Sequence, residues 1–508
     1  MRGRKRMLLL VLVLAVGCVD LFAVAPGPAL YPAAVSFPAR APWGGAPPRP
    51  NQGCTTVFAT DGEQMLGGNN EDYMDPLTKV WFVPAEQGTF GRVYFGYENY
   101  FSQGGMNDQG LFFDSQSVDM PLPVPIEGKQ PFTGTNFVDY VMAHCATVAC
   151  VAEMFETYYA QETWAWQHLF GDATGESAII EPQTILRQRG GYQVATNFYQ
   201  SITPPAERTC WRYSTATSLL GSPVPLSVER MRDVMDAVHQ GVEESPTLYT
   251  NVYDLVNRKV YLNYFFDYEH VVVLDLAEEL AQGAHGYDLP ALFPPNPTAE
   301  KYSAPILRRY NNLILSRLVA VDPAFLAAYV GDYELPEGWG APGDQIHMVA
   351  HGTSLMMVFP DWHRYELFPQ GETSFFAVTW GETDYEVRFD ANFAIDADGR
   401  VRSLELVYGG NNVRVNRLGP ESYVPYMPTP VPTATPRPTA TPSPTATPRP
   451  TATAEPTATA VPTPAPSPVP AVPAPEPHPG FPWGWVIVPV ALLAVAAAWY
   501  AFRRRRPS

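Results

Sequence analysis

Cysteine is scarce in this chain, and the spacing of its few cysteines excludes one kind of site. The 508 residues include five cysteines and nine histidines, and no pair of them has the spacing of a structural zinc site. Basic residues are also in the minority, with 33 lysines and arginines against 51 aspartates and glutamates and a formal net charge of −18. Because no globular stretch carries a basic patch, nucleic acid is excluded as a partner. No metal or other cofactor is predicted.

The N-terminal part of the chain has the composition of a leader and not of a folded domain. Residues 1–25 combine a basic start, a short apolar run and small residues, which predicts a secretory signal peptide. Cys18 offers an alternative, a lipoprotein cleavage site. Residues 26–53 are rich in proline, alanine and glycine and have no apolar periodicity, so we interpret them as a pro-segment or linker.

The C-terminal part is predicted to tether the protein to a membrane. Residues 427–480 are proline with threonine, alanine and serine, a composition typical of an extended stalk that buries no core. Residues 483–502 carry no charge and have aromatic residues at both ends, and the basic residues of 503–508 follow. This pattern predicts one transmembrane helix with the rest of the chain outside the cell and a cytoplasmic tail, a sorting signal being the alternative.

Between these ends, the patterning indicates two folded parts. Residues 54–294 alternate short β-type runs with helical periodicity, which predicts a layered α+β domain. Residues 295–325 contain a predicted connecting helix from Pro305 to Val319. Residues 326–418 contain eight short strands at about ten-residue spacing, the first beginning at Tyr329, which predicts a small all-β barrel. Cys145 and Cys150 either close a short disulfide loop or are two buried thiols on a helix.

Cys54 is the candidate nucleophile. It ends a turn-prone run and opens a β-prone run, so cleavage of the Gly53–Cys54 bond would make it an N-terminal residue. The freed α-amine, with a reference pKa of about 7.7–8.0, could then act as general base for the thiol of the same residue. The alternative is a structural cysteine, since cysteine is among the most buried residue types.

Six separated motifs carry a family resemblance. They are Cys-Thr-Thr at residues 54–56, Gly-Asn-Asn-Glu-Asp at 68–72, Gly-Met-Asn-Asp-Gln-Gly-Leu at 105–111, His-Leu-Phe-Gly-Asp-Ala-Thr-Gly-Glu-Ser at 168–177, Thr-Asn at 196–197 and Cys-Trp-Arg-Tyr at 210–213. In this order they resemble the choloylglycine hydrolase and penicillin V acylase family and its relatives, the acyl-CoA:6-aminopenicillanic acid acyltransferase-like and acid ceramidase-like amidases. The resemblance covers residues 54–294.

The resemblance implies an N-terminal nucleophile (Ntn) hydrolase with a four-layer αββα fold. It implies autocatalytic removal of the pro-segment before Cys54, followed by hydrolysis of carbon–nitrogen bonds in linear, small-molecule N-acyl amides through a Cys54 thioester. Asp72 would hold the α-amine and thiolate, Asn197 would donate to the oxyanion, and Arg212 would favour the thiolate. The remaining residues, assigned to substrate binding, are Asn69, Asn70 and Ser117.

Two departures from the family pattern leave the substrate class open. Asn69 stands where bile-salt and penicillin V enzymes carry an arginine, and the stretch from Ser115 to Ser117 replaces the asparagine or tyrosine that completes their oxyanion hole. The Asn-Glu-Asp run also resembles the dipeptidases of the same superfold. A dipeptidase, an acyltransferase and an inactive cell-surface binding module are therefore the alternatives, and the sequence predicts no oligomeric state.

Overall fold

The computed structural model describes residues 53–424 apart from 119–127, 134–135, 161–165, 244, 337–338, 340–342, 361–362 and 382–383. The predicted signal peptide, stalk, transmembrane helix and basic tail, and all of the predicted pro-segment except Gly53, lie outside the described residues. Within the residues that are described, no helix is both long and apolar enough to cross a membrane.

Among its described residues, the first part of the chain forms sixteen strands and five α-helices. In chain order its first half comprises β1 (Thr55–Thr60), β2 (Met65–Asp72), β3 (Lys79–Val83), β4 (Arg92–Gly96), β5 (Ser102–Asn107), β6 (Phe112–Ser117), β7 (Gln130–Pro131), α1 (Phe137–His144), α2 (Val148–Thr157) and β8 (Tyr158–Tyr159). Its second half comprises β9 (Trp166–Gly171), β10 (Ser177–Glu181), β11 (Thr184–Arg187), β12 (Tyr192–Ala195), α3 (Trp211–Leu220), α4 (Val228–Asp236), β13 (Thr247–Asp254), β14 (Lys259–Tyr264), β15 (Asp267–Asp275), α5 (Leu276–Leu280) and β16 (His285–Asp288).

Two large antiparallel sheets form the centre of this part. The first sheet has the strand order β12-β1-β2-β13-β14-β15, and the second has the order β11-β10-β9-β6-β5-β4-β3-β16. An aromatic core lies between them, and Phe58 and Phe112 stack there with their ring centroids 6.3 Å apart. Each buried side chain of this size stabilises the fold by about 1.5–3 kcal/mol relative to an exposed one, so this core is the main cohesive contact between the sheets.

Helices cover the outer face of each sheet. Helices α1 and α2 place Val141 and Val151 against the second sheet, in a cluster that includes Phe170. Helices α3 and α4 cover the first sheet, where Met231 packs in a cluster with Val57. The layers therefore run helix, sheet, sheet, helix, and the prediction of a mixed helix and strand fold is confirmed.

The two cysteines near the helix junction are bonded to each other. Cys145 caps the C-terminus of α1, and Cys150 lies in the first turn of α2. Their sulfur atoms form a disulfide. Of the two sequence alternatives, the short disulfide loop is the one that the structure contains.

In the second part of the chain, the residues that the structure describes form two helices and an eight-stranded barrel. Its elements are α6 (Pro297–Arg317), α7 (Pro323–Tyr329), β17 (Gly331–Glu334), β18 (Gln345–His351), β19 (Ser354–Val358), β20 (Arg364–Pro369), β21 (Ser374–Trp380), β22 (Tyr385–Ile395), β23 (Val401–Tyr408) and β24 (Asn411–Asn416). The strands pair in sequence order, and a bridge between Tyr333 and Arg417 brings the first strand beside the last. All eight predicted strands are confirmed, and the sheet is a nearly closed barrel.

Two sequence boundaries in this part differ from the structure. The connecting helix was predicted over residues 305–319, but α6 begins at Pro297 because the Asn296 side chain accepts from the amides of Thr298 and Ala299. Pro305 lies inside the helix. Tyr329, which is predicted to open the first barrel strand, ends α7 instead.

The barrel packs directly against the first part of the chain. Ile306 and Ile314 of α6 form a cluster with Trp380 and Tyr385 of the barrel, and Tyr73 packs against this cluster. The Tyr385 hydroxyl also donates to the Asp75 carboxylate across the contact. The segment that follows β2 is therefore held by the barrel, and β2 carries the polar residues described next.

Candidate active site

Cys54 lies immediately before β1, at the edge of the space between the two sheets. Its side chain is buried, with 8% of its surface exposed. In the antiparallel pairing of β1 with β2, Thr55 is opposite Asn70 and Thr56 is opposite Asn69. The same register continued by one residue places Cys54 opposite Glu71, and directly opposite residues point to the same face of a sheet.

The polar end of β2 sends alternate side chains to opposite faces of the sheet. Asn69 faces the second sheet, where its Oδ1 accepts from Thr56 Oγ1 at 3.2 Å and its Nδ2 donates to Glu71 Oε2 at 3.4 Å. Asn70 faces the helical layer, and its Nδ2 donates to the carbonyl oxygen of Met235 at 2.8 Å. The structure thus brings Asn69 toward the thiol but does not bring the side chain of Asn70 there, because that amide is bonded to α4 and β13.

Arg212 holds the backbone on both sides of the candidate cleavage bond. This arginine lies in the first turn of α3 and is only 1% exposed. Its Nη1 donates to the carbonyl oxygen of Gly53 and, at 2.9 Å, to that of Cys54. It also donates to Thr55 Oγ1 at 3.0 Å and lies 3.4 Å from Asp72 Oδ2. A fixed cation therefore polarises the Gly53 carbonyl group.

The side chain of Asp72 points to the face of β2 opposite the one that faces the Cys54 sulfur. Its carboxylate accepts from the Thr247 hydroxyl and pairs with Arg212. The sequence assigns Asp72 to hold the α-amine and thiolate, and in the uncleaved chain its carboxylate contacts the arginine. Burial raises the pKa of the Cys54 thiol, and a hydrogen bond from the backbone amide of Asp72 has a smaller, opposite effect.

Asn197 and Gly53 are in close contact. The Asn197 side chain accepts from Arg212 Nη2 at 2.9 Å and donates from Nδ2 to the backbone carbonyl oxygen of Ser117 at 2.9 Å. A Cβ atom on Gly53 would lie 2.1 Å from Asn197 Nδ2, and Gly53 has a φ of +137°. Only glycine fits this position without displacing the asparagine. Ser117 enters the site through its backbone oxygen.

Burial and nearby carboxyl groups control the protonation of the thiol. Burial raises the pKa of Cys54 well above its usual value, and the charges of Glu71, Asp114 and Asp72 raise it further. Burial also raises the pKa of Glu71 and, together with the charge of Glu71, raises the pKa of Asp114. The thiol is therefore neutral in the uncleaved chain, and the carboxyl groups beside it are more basic than exposed ones. That Arg212 favours the thiolate stays a prediction.

Sequence reasoning missed three residues of this site. Glu71 lies within the Gly-Asn-Asn-Glu-Asp motif, but the sequence assigns it no role. It belongs to a strand that is buried along its whole length, and a glutamate is almost never fully buried unless it has a partner, so its position indicates a function. Tyr97 donates to Glu71 Oε1 at 2.8 Å, and Asp114 accepts from Thr56 Oγ1 at 3.1 Å. Neither has a local sequence signal, because each reaches the site from the second sheet. Among the described residues, no group of three histidine, cysteine or acidic side chains could hold a metal ion.

The arrangement joins the components of nucleophilic attack on an amide. A thiol lies on the residue that follows a polarised carbonyl group, and a carboxyl group of raised pKa lies on the same face as the thiol. Attack by the sulfur on that carbonyl carbon would place the developing negative charge on the oxygen that Arg212 already contacts.

Comparisons with known proteins give one family match and several similar structures. Residues 316–417 match a family described as a domain of unknown function, DUF3471. No curated protein sequence matches the chain. Among solved structures, penicillin V acylase from Agrobacterium tumefaciens is 19% identical with a TM-score of 0.37, covering 46% of this chain and 91% of that one.

Two further solved structures are similar to the same extent. A variant of conjugated bile acid hydrolase from Clostridium perfringens is 17% identical with a TM-score of 0.39, covering 48% of this chain and 99% of that one. The Caenorhabditis elegans ortholog of N-acylethanolamine-hydrolyzing acid amidase is 15% identical with a TM-score of 0.32, covering 47% of this chain and all of that one.

Proposed function

We propose that this protein is an exported, membrane-anchored Ntn hydrolase that cleaves carbon–nitrogen bonds of linear N-acyl amides through a Cys54 thioester. The observation that supports this proposal most directly is the hydrogen bond from Arg212 to the Gly53 carbonyl oxygen, on the residue before the buried Cys54 thiol. The peptide bond before Cys54 is thereby presented as an amide substrate would be. The four-layer core around the site and the six motifs support the same assignment.

In the proposed mature enzyme, the α-amine of Cys54 takes the thiol proton. Its reference pKa of about 7.7–8.0 makes it a base near neutral pH, whereas the buried thiol alone is neutral. The thiolate attacks the acyl carbon, the amine of the substrate leaves with the proton, and water then hydrolyses the thioester. Both the acyl group and the leaving amine belong to the substrate, so the acyl enzyme retains only the acyl part.

Arg212 is the better-placed donor to the oxyanion of this reaction. It already contacts a carbonyl oxygen at the position of attack, whereas Asn197 Nδ2 donates to Ser117 in the uncleaved chain. Release of Gly53 would uncover the Asn197 side chain that it now packs against. Both groups then line the position of the substrate carbonyl, Arg212 as a charged donor and Asn197 as a neutral one.

Export and membrane anchoring are proposed from the sequence of residues 1–25 and 483–502. Together with the stalk of residues 427–480, they place the hydrolase domain outside the cell, tethered to the membrane. A small-molecule amide is the proposed substrate because the motifs resemble those of acylases.

The test is the N-terminus of the purified protein together with its turnover. Mass spectrometry of the wild-type protein is expected to find a chain that begins at Cys54, and Cys54→Ala is expected to stay uncleaved and inactive. Cys54→Ser is the matched variant, expected to retain slow cleavage. Release of product from a panel of acyl amides, penicillin V and dipeptides identifies the substrate class. An active wild-type protein with an intact Gly53–Cys54 bond would refute the proposal, and hydrolysis of dipeptides alone would favour the dipeptidase.

A further inference from the structure

The uncleaved chain lacks the base that the mature enzyme is proposed to use. Before cleavage the nitrogen of Cys54 is part of the Gly53–Cys54 peptide bond, and an amide nitrogen does not accept a proton from a thiol near neutral pH. The thiol is buried and its pKa is raised well above the usual value, so it does not ionise by itself. The proposed self-cleavage, on which this inference rests, therefore needs a different proton acceptor beside the sulfur.

Glu71 is the carboxyl group that the fold places at the thiol. It lies opposite Cys54 when the β1 and β2 register is continued by one residue, and, beyond the effect of burial, the charge of Glu71 raises the pKa of the Cys54 thiol. Glu71 is 3% exposed, and its carboxyl group is oriented from two sides, with Tyr97 Oη 2.8 Å from Oε1 and Asn69 Nδ2 3.4 Å from Oε2. Bulk water therefore does not compete for the thiol proton at this position.

The two other acidic residues near the site have different contacts. Asp72 points to the opposite face of β2, where its carboxylate pairs with Arg212 and accepts from Thr247. Asp114 belongs to β6 in the second sheet, and its Oδ1 accepts from Thr56 Oγ1 at 3.1 Å. Beyond the effect of burial, the charge of Asp114 raises the pKa of the Cys54 thiol, but its hydrogen bond is to Thr56, two residues after Cys54.

We propose that Glu71 is the general base for cleavage of the Gly53–Cys54 bond. Glu71 accepts the proton of the thiol, and the sulfur attacks the carbonyl carbon of Gly53, whose oxygen is held by Arg212. The carbon–nitrogen bond then breaks, Glu71 returns the proton to the departing nitrogen of Cys54, and a thioester joins Gly53 to the sulfur. Water hydrolyses this thioester to a Gly53 carboxylate and a free thiol, leaving Cys54 with a free α-amine.

The surroundings of Glu71 determine how cleavage depends on pH. Burial raises the pKa of Glu71, while the hydrogen bonds from Tyr97 and Asn69 oppose that effect. A carboxyl group of raised pKa is a stronger base than an ordinary one, but it acts only above that pKa, so cleavage slows as the pH falls through it. The titratable groups that interact with it are Cys54, Tyr73, Tyr97, Asp114, Tyr249 and Tyr253. The charged pair of Asp72 and Arg212 lies on the opposite face of β2.

The experiment follows self-cleavage of the full chain as a function of pH. Chains purified in denaturant are refolded in detergent at set pH values, and mass spectrometry measures the peptide that spans residues 53 and 54 against the peptide that begins at Cys54. Glu71→Gln is expected to slow cleavage by about 10²- to 10⁴-fold and to remove its pH dependence, because the amide cannot accept the proton. Glu71→Asp is expected to restore measurable, pH-dependent cleavage.

Asp75→Asn is the matched control, since it neutralises another buried carboxyl group on the segment after β2, which accepts from Tyr385 at the barrel contact and does not belong to the site. It is expected to cleave within a few-fold of the wild-type rate. Cleavage of Glu71→Gln at the wild-type rate, or with the wild-type pH profile, would overturn the role of Glu71. If Glu71→Gln does not fold, the pH profile of Glu71→Asp decides, and a profile identical to that of the wild type would overturn it. Cleavage of Cys54→Ala at the same bond would instead refute the proposed function.

Discussion

Replacing Arg212 with methionine tests how much the contacts of this arginine stabilise the folded site. The guanidinium group is buried and contacts the two residues before β1, the end of β2 and the loop that carries Asn197. Methionine has a similar length and fills much of the volume but donates no hydrogen bond. The measurement is made in the Cys54→Ala background, so that every chain is uncleaved.

The expected loss of stability follows from the buried carboxylate of Asp72, which the substitution leaves in place. The side chain of Asp72 has no exposed surface, and the substitution removes the ion pair that Arg212 makes with its buried carboxylate. Removal of one partner of a buried ion pair costs about 3–5 kcal/mol. For a domain of this size, that loss corresponds to a decrease of roughly 10 °C in the melting temperature.

A double-mutant cycle separates the ion pair from the other contacts of Arg212. Asp72→Asn removes the charge and keeps the shape of the side chain. The double variant is therefore expected to lose less free energy of unfolding than the sum of the losses in the two single variants. The expected coupling is about 0.5–3 kcal/mol. Urea unfolding followed by tryptophan fluorescence gives all four free energies of unfolding.

Two results would refute this reasoning. A loss below about 1 kcal/mol for Arg212→Met would mean that solvent or another group compensates Asp72. Strictly additive losses in the cycle would mean that the two side chains are not energetically coupled, whatever their distance.

Two further predictions concern the cleavage bond and the buried carboxyl groups. Gly53→Ala is expected to slow self-cleavage by about 10²-fold, because its Cβ would displace Asn197, whereas Gly62→Ala, at a φ of +92° with open space around it, should cleave normally. Mass spectrometry of the refolded chains checks this, and equal rates would contradict it. Because burial raises the folded-state pKa values of Glu71 and Asp114, the uncleaved chain is expected to lose stability as the pH rises from about 4, the reference pKa of exposed carboxyl groups, through those raised values. Urea midpoints measure the slope, Asp114→Asn should flatten it, and a midpoint that rises with pH would contradict the prediction.

The sequence predicted most of the elements because local patterning is strong in both parts of the chain. Alternating apolar residues and regular turns identified all eight barrel strands, and helical periodicity identified α1 to α4. The sequence missed β15, whose residues are largely exposed and therefore lack a clear apolar alternation. It also misplaced the start of α6, where a capping asparagine extends the helix past the apolar pattern.

The sequence by itself determined the candidate nucleophile, the polar end of β2 and the order of the motifs, since each is a short local string. Only the tertiary structure decided which face each polar residue takes. Strand alternation sends Glu71 toward Cys54 and Asp72 toward Arg212, although the two acids are neighbours in sequence. The contact of Arg212 with the Gly53 carbonyl also depends on the fold, because 159 residues separate the two positions and only the packing of α3 on the first sheet brings them together.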